Sequence, residues 1–320
     1  MRHKVRHSGF SLLAAAALVF ALAGPARGEE GGSGHYMPGA AASFADALLG
    51  RPGFAAANFF TFYDGSASRP LPVAGLLTAT LEARVYADTV VLIYETPARI
   101  LGGYYAVCAA VPFVRVDVKG TLTGPLPGPG LSKADSASGI GDLTLYPLMI
   151  GWNKGDLKYD VRMGIYAPTA PFQVGALANT GKNFWTFEPA VSVSYLSSKI
   201  GLEATAFVGF GVNTTNNATD YKSGEVFHLD GTIAQHLPLL GGFAGLGANG
   251  FFYQQVSGDS GSGATLGEFK GRTAGVGPAL SYVRKIGKAD FVAELKWLKE
   301  LDVKNRLKGE YAWLKLAMAF

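Results

Sequence analysis

Few side chains in this 320-residue chain carry obvious chemistry, and their spacing limits what they could do. The run "GLGANG", 245–250, spells G-x-G-x-x-G, but a dinucleotide fingerprint needs a strand before it and a helix after it. Here the glycines lie inside an alternating stretch, where bare backbone makes room for facing side chains. His228, Asp230 and His236 are metal-ligand types on one strand parity. Eight residues of strand separate the histidines by roughly 27 Å, and two ligands are too few for a closed zinc site. Asp142, Asp160, Glu188, Glu203, Asp230 and Glu294 could be read as paired carboxylates for hydrolysis. Each falls on a different strand, however, and several have basic neighbours such as Lys158, Arg162 and Lys296. "SGDSGSG", 257–263, has the composition of a calcium loop without its regular acidic spacing. The sequence contains neither a G-x-S-x-G elbow nor an H-E-x-x-H motif. We therefore expect no metal, no cofactor and no enzymatic role, with an outer-membrane hydrolase as the weakest reading.

The elements that must position these residues are strands. In "FWTFEPAVSVSY", 184–195, one parity holds Trp185, Phe187, Val191, Val193 and Tyr195, and the other Thr186, Glu188, Ala190, Ser192 and Ser194. Successive strand side chains point to opposite faces, so this stretch has one apolar and one polar side. "LEATAFVGFGV", 202–212, alternates likewise with Phe207 as its exception, as do "LKYDVRMGIYA", 157–167, "TAGVGPALSY", 273–282, and "FVAELKW", 291–297. A soluble sandwich would alternate too. Two features favour a membrane barrel: a polar parity rich in Gly, Ala, Ser and Thr, and links of alternating length. Links are short near 153–156, 196–201, 237–242 and 284–290, and long at 64–75, 119–138, 167–183, 213–225 and 257–271. Short turns at one end and long loops at the other are the outer-membrane pattern, and pairing them gives about twelve strands. "ARVYADTVVLIYET" fits either parity.

The two ends agree. Residues 1–28 combine Arg2, Lys4 and Arg6, an apolar run from Phe10 to Ala23, and a small-x-small site at 26–28, the layout of a cleaved secretory signal. That segment carries four of the 28 cations and none of the 24 acids, leaving 24 against 24. Nothing then steers the mature chain to nucleic acid. One cysteine, Cys108, excludes an internal disulfide. At the other end "EYAWLKLAMAF" alternates up to Phe320, as a closing strand would.

Five stretches together resemble the phenol meta-pathway degradation, or SphA-like, family of outer-membrane transporters. They are "GIGDLTLYPLMIGW" (139–152), "NTGKNFWTFEPAVSVSY" (179–195), "NTTNNATDYKSGEVFHLD" (213–230), "GFFYQQVSGDS" (250–260) and "GVGPALSYV" (275–283). The likeness runs from about Phe54 to Phe320 and implies uptake of aromatic and other hydrophobic compounds across the outer membrane. The terminal Phe320 is similar to the signal that barrel-insertion machinery reads.

The resulting expectation is an all-β, transmembrane antiparallel β-barrel of about twelve strands over 53–320. It would have short periplasmic turns, longer extracellular loops and a bacterial outer-membrane location. A segment, 29–52, precedes it in the periplasm or plugs the lumen, with 37–50 as a candidate short helix. The polar parity should line the lumen through Lys158, Asp160, Arg162, Glu188, Glu203, His228, Asp230, Glu294 and Lys296. Trp185, Phe187, Tyr195, Phe210, Tyr282 and Trp297 should form the lipid-facing girdle. Partners would be outer-membrane lipid and a small hydrophobic or aromatic solute. A non-transporting structural or adhesion barrel is the alternative.

Overall fold

The structure is a computed structural model that describes residues 30–41, 50–122, 131–268 and 270–320. The signal segment 1–28 and most of the candidate helix, 42–49, lie outside the described residues. Residues 37–41 form turns, and among the described residues of the segment the one helical feature is a 3-10 turn at Glu30–Gly32.

The strands are β1 (Gly53–Ala67), β2 (Leu71–Val73), β3 (Leu76–Ile100), β4 (Gly103–Leu122), β5 (Leu131–Ile140), β6 (Leu143–Lys154) and β7 (Leu157–Ala167). They continue as β8 (Thr186–Leu196), β9 (Leu202–Asn213), β10 (Val226–Leu239), β11 (Gly242–Gln255), β12 (Arg272–Ile286), β13 (Ala289–Lys304) and β14 (Lys308–Ala319). All pairings are antiparallel, and most join sequence neighbours; β1 pairs with β3 past the short β2, β4 pairs with both β5 and β6, and one long-range pairing closes the ring. β14 pairs with β1 from Ala55↔Ala319 to Ser66↔Lys308, and the Phe320 amide donates to Phe54 O at 2.7 Å. Twelve strands make the closed barrel, because β2 folds back on β3 while β5 and β6 share one place beside β4.

Turn chemistry fixes the short end. Leu101–Gly102 and Leu240–Gly241 join adjacent strands with positive φ at both positions, which a type I′ hairpin requires. Gly155 and Gly287 take positive φ at the first of two loop positions. At the other end, the reading of 119–138 as one long link is corrected: β4 runs on to Leu122 and β5 starts at Leu131.

The break between β5 and β6 falls at Gly141–Asp142, where the Gly141 amide donates to Pro112 O at 2.8 Å. Proline has no amide to give the ladder, so the neighbouring strand bends there and re-aims Asp142 inward. A second irregularity sits at Pro147 in β6.

The alternation expected for β7, β8, β9, β12, β13 and β14 holds, with the apolar parity outward. Trp185, Phe187, Tyr195, Phe210 and Trp297 are exposed, and Tyr282 is half-buried because its hydroxyl donates to Leu240 O at 3.0 Å. Outward aromatics gather near the short turns (Phe54–Tyr94, Trp152–Tyr159) and near the long loops (Trp185–Phe187, Phe227–Phe252). The open parity of β3 resolves with Val85, Ala87, Val91 and Ile93 inward and Tyr86, Val90, Leu92 and Tyr94 outward. Higher up, the outer faces of β3 and β4 turn charged at Glu82, Arg84, Arg115 and Asp117, while inside Leu81, Ala83, Val116 and Val118 stay apolar.

Glycines on the inner face match bulky neighbours. A β-carbon at Gly209 would collide with the His228 imidazole, whereas one at Gly211 meets only ordinary contacts. Gly209→Val should therefore destabilise the barrel by about 1–3 kcal/mol through overpacking, and Gly211→Val by much less. Urea unfolding in detergent micelles measures the difference, and equal costs would show that His228 is free to move aside.

Candidate functional site

The lumen holds two cavities, and its two walls differ. From β7 to β13 the inner face is polar and internally paired. Arg162 forks onto Asp160, with Nε 2.7 Å from Oδ1 and Nη2 2.9 Å from Oδ2. His228 Nε2 lies 3.1 Å from Glu188 Oε2, His236 Nε2 2.6 Å from Glu203 Oε2, and Lys296 Nζ 3.5 Å from Glu294 Oε1. Each of these carboxylates is buried. A buried carboxylate without a partner is expensive, so cross-strand pairing is what allows so many. Lys158 is half-buried and makes no ion pair among the described residues.

The predicted lumen residues thus all face inward, but most do not line open space. Three of them, His228, Asp230 and Lys296, hold residues 30–41. The Asp230 carboxylate accepts from the Tyr36 hydroxyl, the Gly39 amide (3.3 Å) and the Ala41 amide (3.0 Å). The Tyr36 ring stacks on His228 with centroids 3.6 Å apart, and behind it stands Phe207, the residue that broke the β9 alternation. Lys296 Nζ donates to Gly39 O at 2.8 Å. His35 bridges Asp142 and Thr186 at 3.1 and 2.7 Å, and Lys182 Nζ donates to Ser33 O and Oγ, both at 2.7 Å. At the long-loop end the Glu30 carboxylate accepts from Asn216 Nδ2 at 3.1 Å, and burial pushes that carboxyl above its usual range. At the short-turn end the Gly50 amide donates to Glu95 Oε2 at 3.1 Å. Gly39 has φ +83 and packs so close to Leu298 that any side chain would clash.

The opposite wall departs from the expectation that a polar parity faces inward. The inner faces of β1, β3 and β4 are mainly Ala, Val, Ile and Pro: Ala55, Ala57, Val85, Val91, Ile93, Ala110, Pro112 and Val114 among them. Two cavities run along it. The upper, about 310 Å³, lies between residues 30–38, the upper part of β3 and β4, and loop residues Phe172, Leu177 and Phe184. The lower, about 530 Å³, extends from residues 35–41 towards the short turns. His35, Tyr36, Met37 and Thr89 border both.

The signal for the apolar wall was present in β3 and β4, whose apolar residues occupy both parities. Phe207 was visible as an exception without a reason. The grip of Asp230 on the amides of residues 39 and 41 left no mark in the pattern.

With this geometry in view, residues 50–316 match the model of the family described as "Putative MetA-pathway of phenol degradation". The chain belongs to this family. Among solved structures, it is similar to the COG4313 outer membrane channel from Pseudomonas putida F1, with a TM-score of 0.58 and 12% identity over 86% of this chain and 97% of that one. The β domain of the Bordetella autotransporter BrkA follows at TM-score 0.47 and 12% identity, over 84% of this chain and 99% of that one. A search of curated proteins returns no match. The fold shared with the channel is a closed twelve-stranded antiparallel barrel.

Asp230→Ala should free the segment, because it orphans a hydroxyl and two amides at on the order of 1–3 kcal/mol each. In a Cys108→Ala background, a Ser33→Cys reporter should react with a bulky maleimide at least tenfold faster once Asp230 is removed. An unchanged rate would mean that the remaining contacts suffice.

Proposed function

We propose that the protein is an outer-membrane channel for passive uptake of small hydrophobic or aromatic compounds. The carrying observation is the division of labour between the walls. The polar wall pairs most of its charges internally and holds residues 30–41 through Asp230 and Lys296, and the free space runs along the apolar wall of β1, β3 and β4. Such a surface offers a solute mainly dispersion contact, so a hydrophobic molecule packs against it at little cost in hydrogen bonds. A barrel of this strand number is wider than those filled by side chains and narrower than the large porins. Segment 30–41 is then a plug that narrows the lumen.

No chemical step is part of this reading. The inward histidines and carboxylates of the barrel wall pair with each other or with the plug: His228 with Glu188, His236 with Glu203, Asp230 with Tyr36. The outward aromatics would sit at the two lipid interfaces, and Phe320, paired beside Phe54, would be read by the insertion machinery after removal of the signal segment.

The test is entry of the hydrophobic dye 1-N-phenylnaphthylamine into cells of a channel-poor host. Expression of the protein should raise the rate several-fold. Val91→Glu, which sets a charge in the apolar wall, should abolish the rise at equal amounts of folded protein. A rate equal to that of empty cells, together with no conductance in planar bilayers, would instead leave a structural or adhesion barrel.

A further inference from the structure

The lower cavity is two-faced in a way that the uptake of neutral hydrocarbons does not require. On one side are Ala55, Ala57, Phe59, Val91, Ile93 and Met149. Four cations border the same space: Arg51, Lys158, Arg162 and Lys315, against a single acid, Asp290, among the described lining residues. The nearby carboxylates are already engaged. Asp160 takes the Arg162 fork, Asp290 lies 3.6 Å from Arg51, and Glu294, opposite Lys315 in the strand register, is shared with Lys296. Lys315 also sits 5.0 Å above the Phe59 ring. Lys158 has Ser194 and Asn153 as its strand neighbours and no acid paired with it among the described residues. The upper cavity does not share this excess: its borders hold Glu30 and Asp142 beside Lys182 and Arg306.

A cavity with an apolar wall and a lysine, Lys158, that has no acid paired with it among the described residues favours a solute that is itself two-faced. We propose that the lower cavity is a binding site for amphipathic monocarboxylates, aryl or short-chain, with the hydrocarbon part against β1 and β3 and the carboxylate towards Lys158. A neutral compound of the same shape would gain the apolar contact only. Its volume of about 530 Å³ accommodates a single aromatic ring with a carboxylate and several waters. An ammonium ion in a partly enclosed site attracts a carboxylate more strongly than it would in water, since the effective dielectric there is lower. This site deepens the uptake reading and rests on the lumen being its route.

Calorimetry on the full chain in lipid nanodiscs tests it with sodium benzoate, benzyl alcohol and sodium acetate as probes. Benzoate should bind at least tenfold more tightly than either. Lys158→Gln should bring benzoate down to the level of benzyl alcohol, Lys158→Arg should keep most of the preference, and Lys154→Gln on the outer rim should change nothing. Equal binding of benzoate and benzyl alcohol would overturn the proposal, as would acetate matching benzoate or Lys158→Gln leaving benzoate unaffected. The two readings fail separately. Dye entry without benzoate preference removes this site and keeps the channel, and benzoate binding without any flux removes the channel and keeps the site.

Discussion

The whole molecule depends on one closure, the ladder between β14 and β1. A sheet in a hydrocarbon medium cannot leave an edge of unpaired amides and carbonyls, and a ring of strands is the arrangement that has none. The alternation of side chains follows from it. Once the sheet is closed, each strand has one face towards the lumen and one away, and a shift by a single residue would exchange them. The outward row Ala312, Leu314, Leu316, Met318 and Phe320 and the inward row Tyr311, Trp313 and Lys315 are both fixed by the pairing with Ala55 to Ser66.

The interior then poses an electrostatic problem that the chain solves by grouping. Carboxylates and cations on β7 to β13 are buried together, which reduces the penalty each would bear alone. Asp230 and Lys296 among them also bond the backbone of residues 30–41, an irregular stretch whose polar groups need partners. Asp230 shows the economy: a single carboxylate serves the Tyr36 hydroxyl and two amides. Because the segment is held to one side, the other side of the lumen needs few polar groups, and the lower parts of β1, β3 and β4 can be largely apolar on both faces.

That last property explains which parts were legible in the sequence. Strands with one polar and one apolar face, such as β8 and β9, announce themselves by period two. In β3, Val90, Leu92 and Tyr94 face out while Val91 and Ile93 face in, so the signal vanishes although the strand is long. Residues 131–138 read as a loop because Ser132, Ser136 and Ser138 are turn-type residues, yet β5 pairs with β4 in a region where the outer face is charged and no apolar row is needed. The strand number, the outward aromatics and the inward charges were legible. The occupant of those charges was not, because hydrogen bonds spanning some 190 residues leave no local pattern.

The upper part of β3 and β4 carries a further consequence. Outside, the wall becomes hydrophilic at Glu82, Arg84, Arg115 and Asp117; inside, Leu81, Ala83, Val116 and Val118 continue the oily lining to a greater height. A greasy surface therefore rises, shielded by its own barrel, above the level at which the exterior has already changed to a water-seeking one. In the proposed uptake, a molecule that shuns water would meet a sheltered rung there before it reached the depth of the lipid tails.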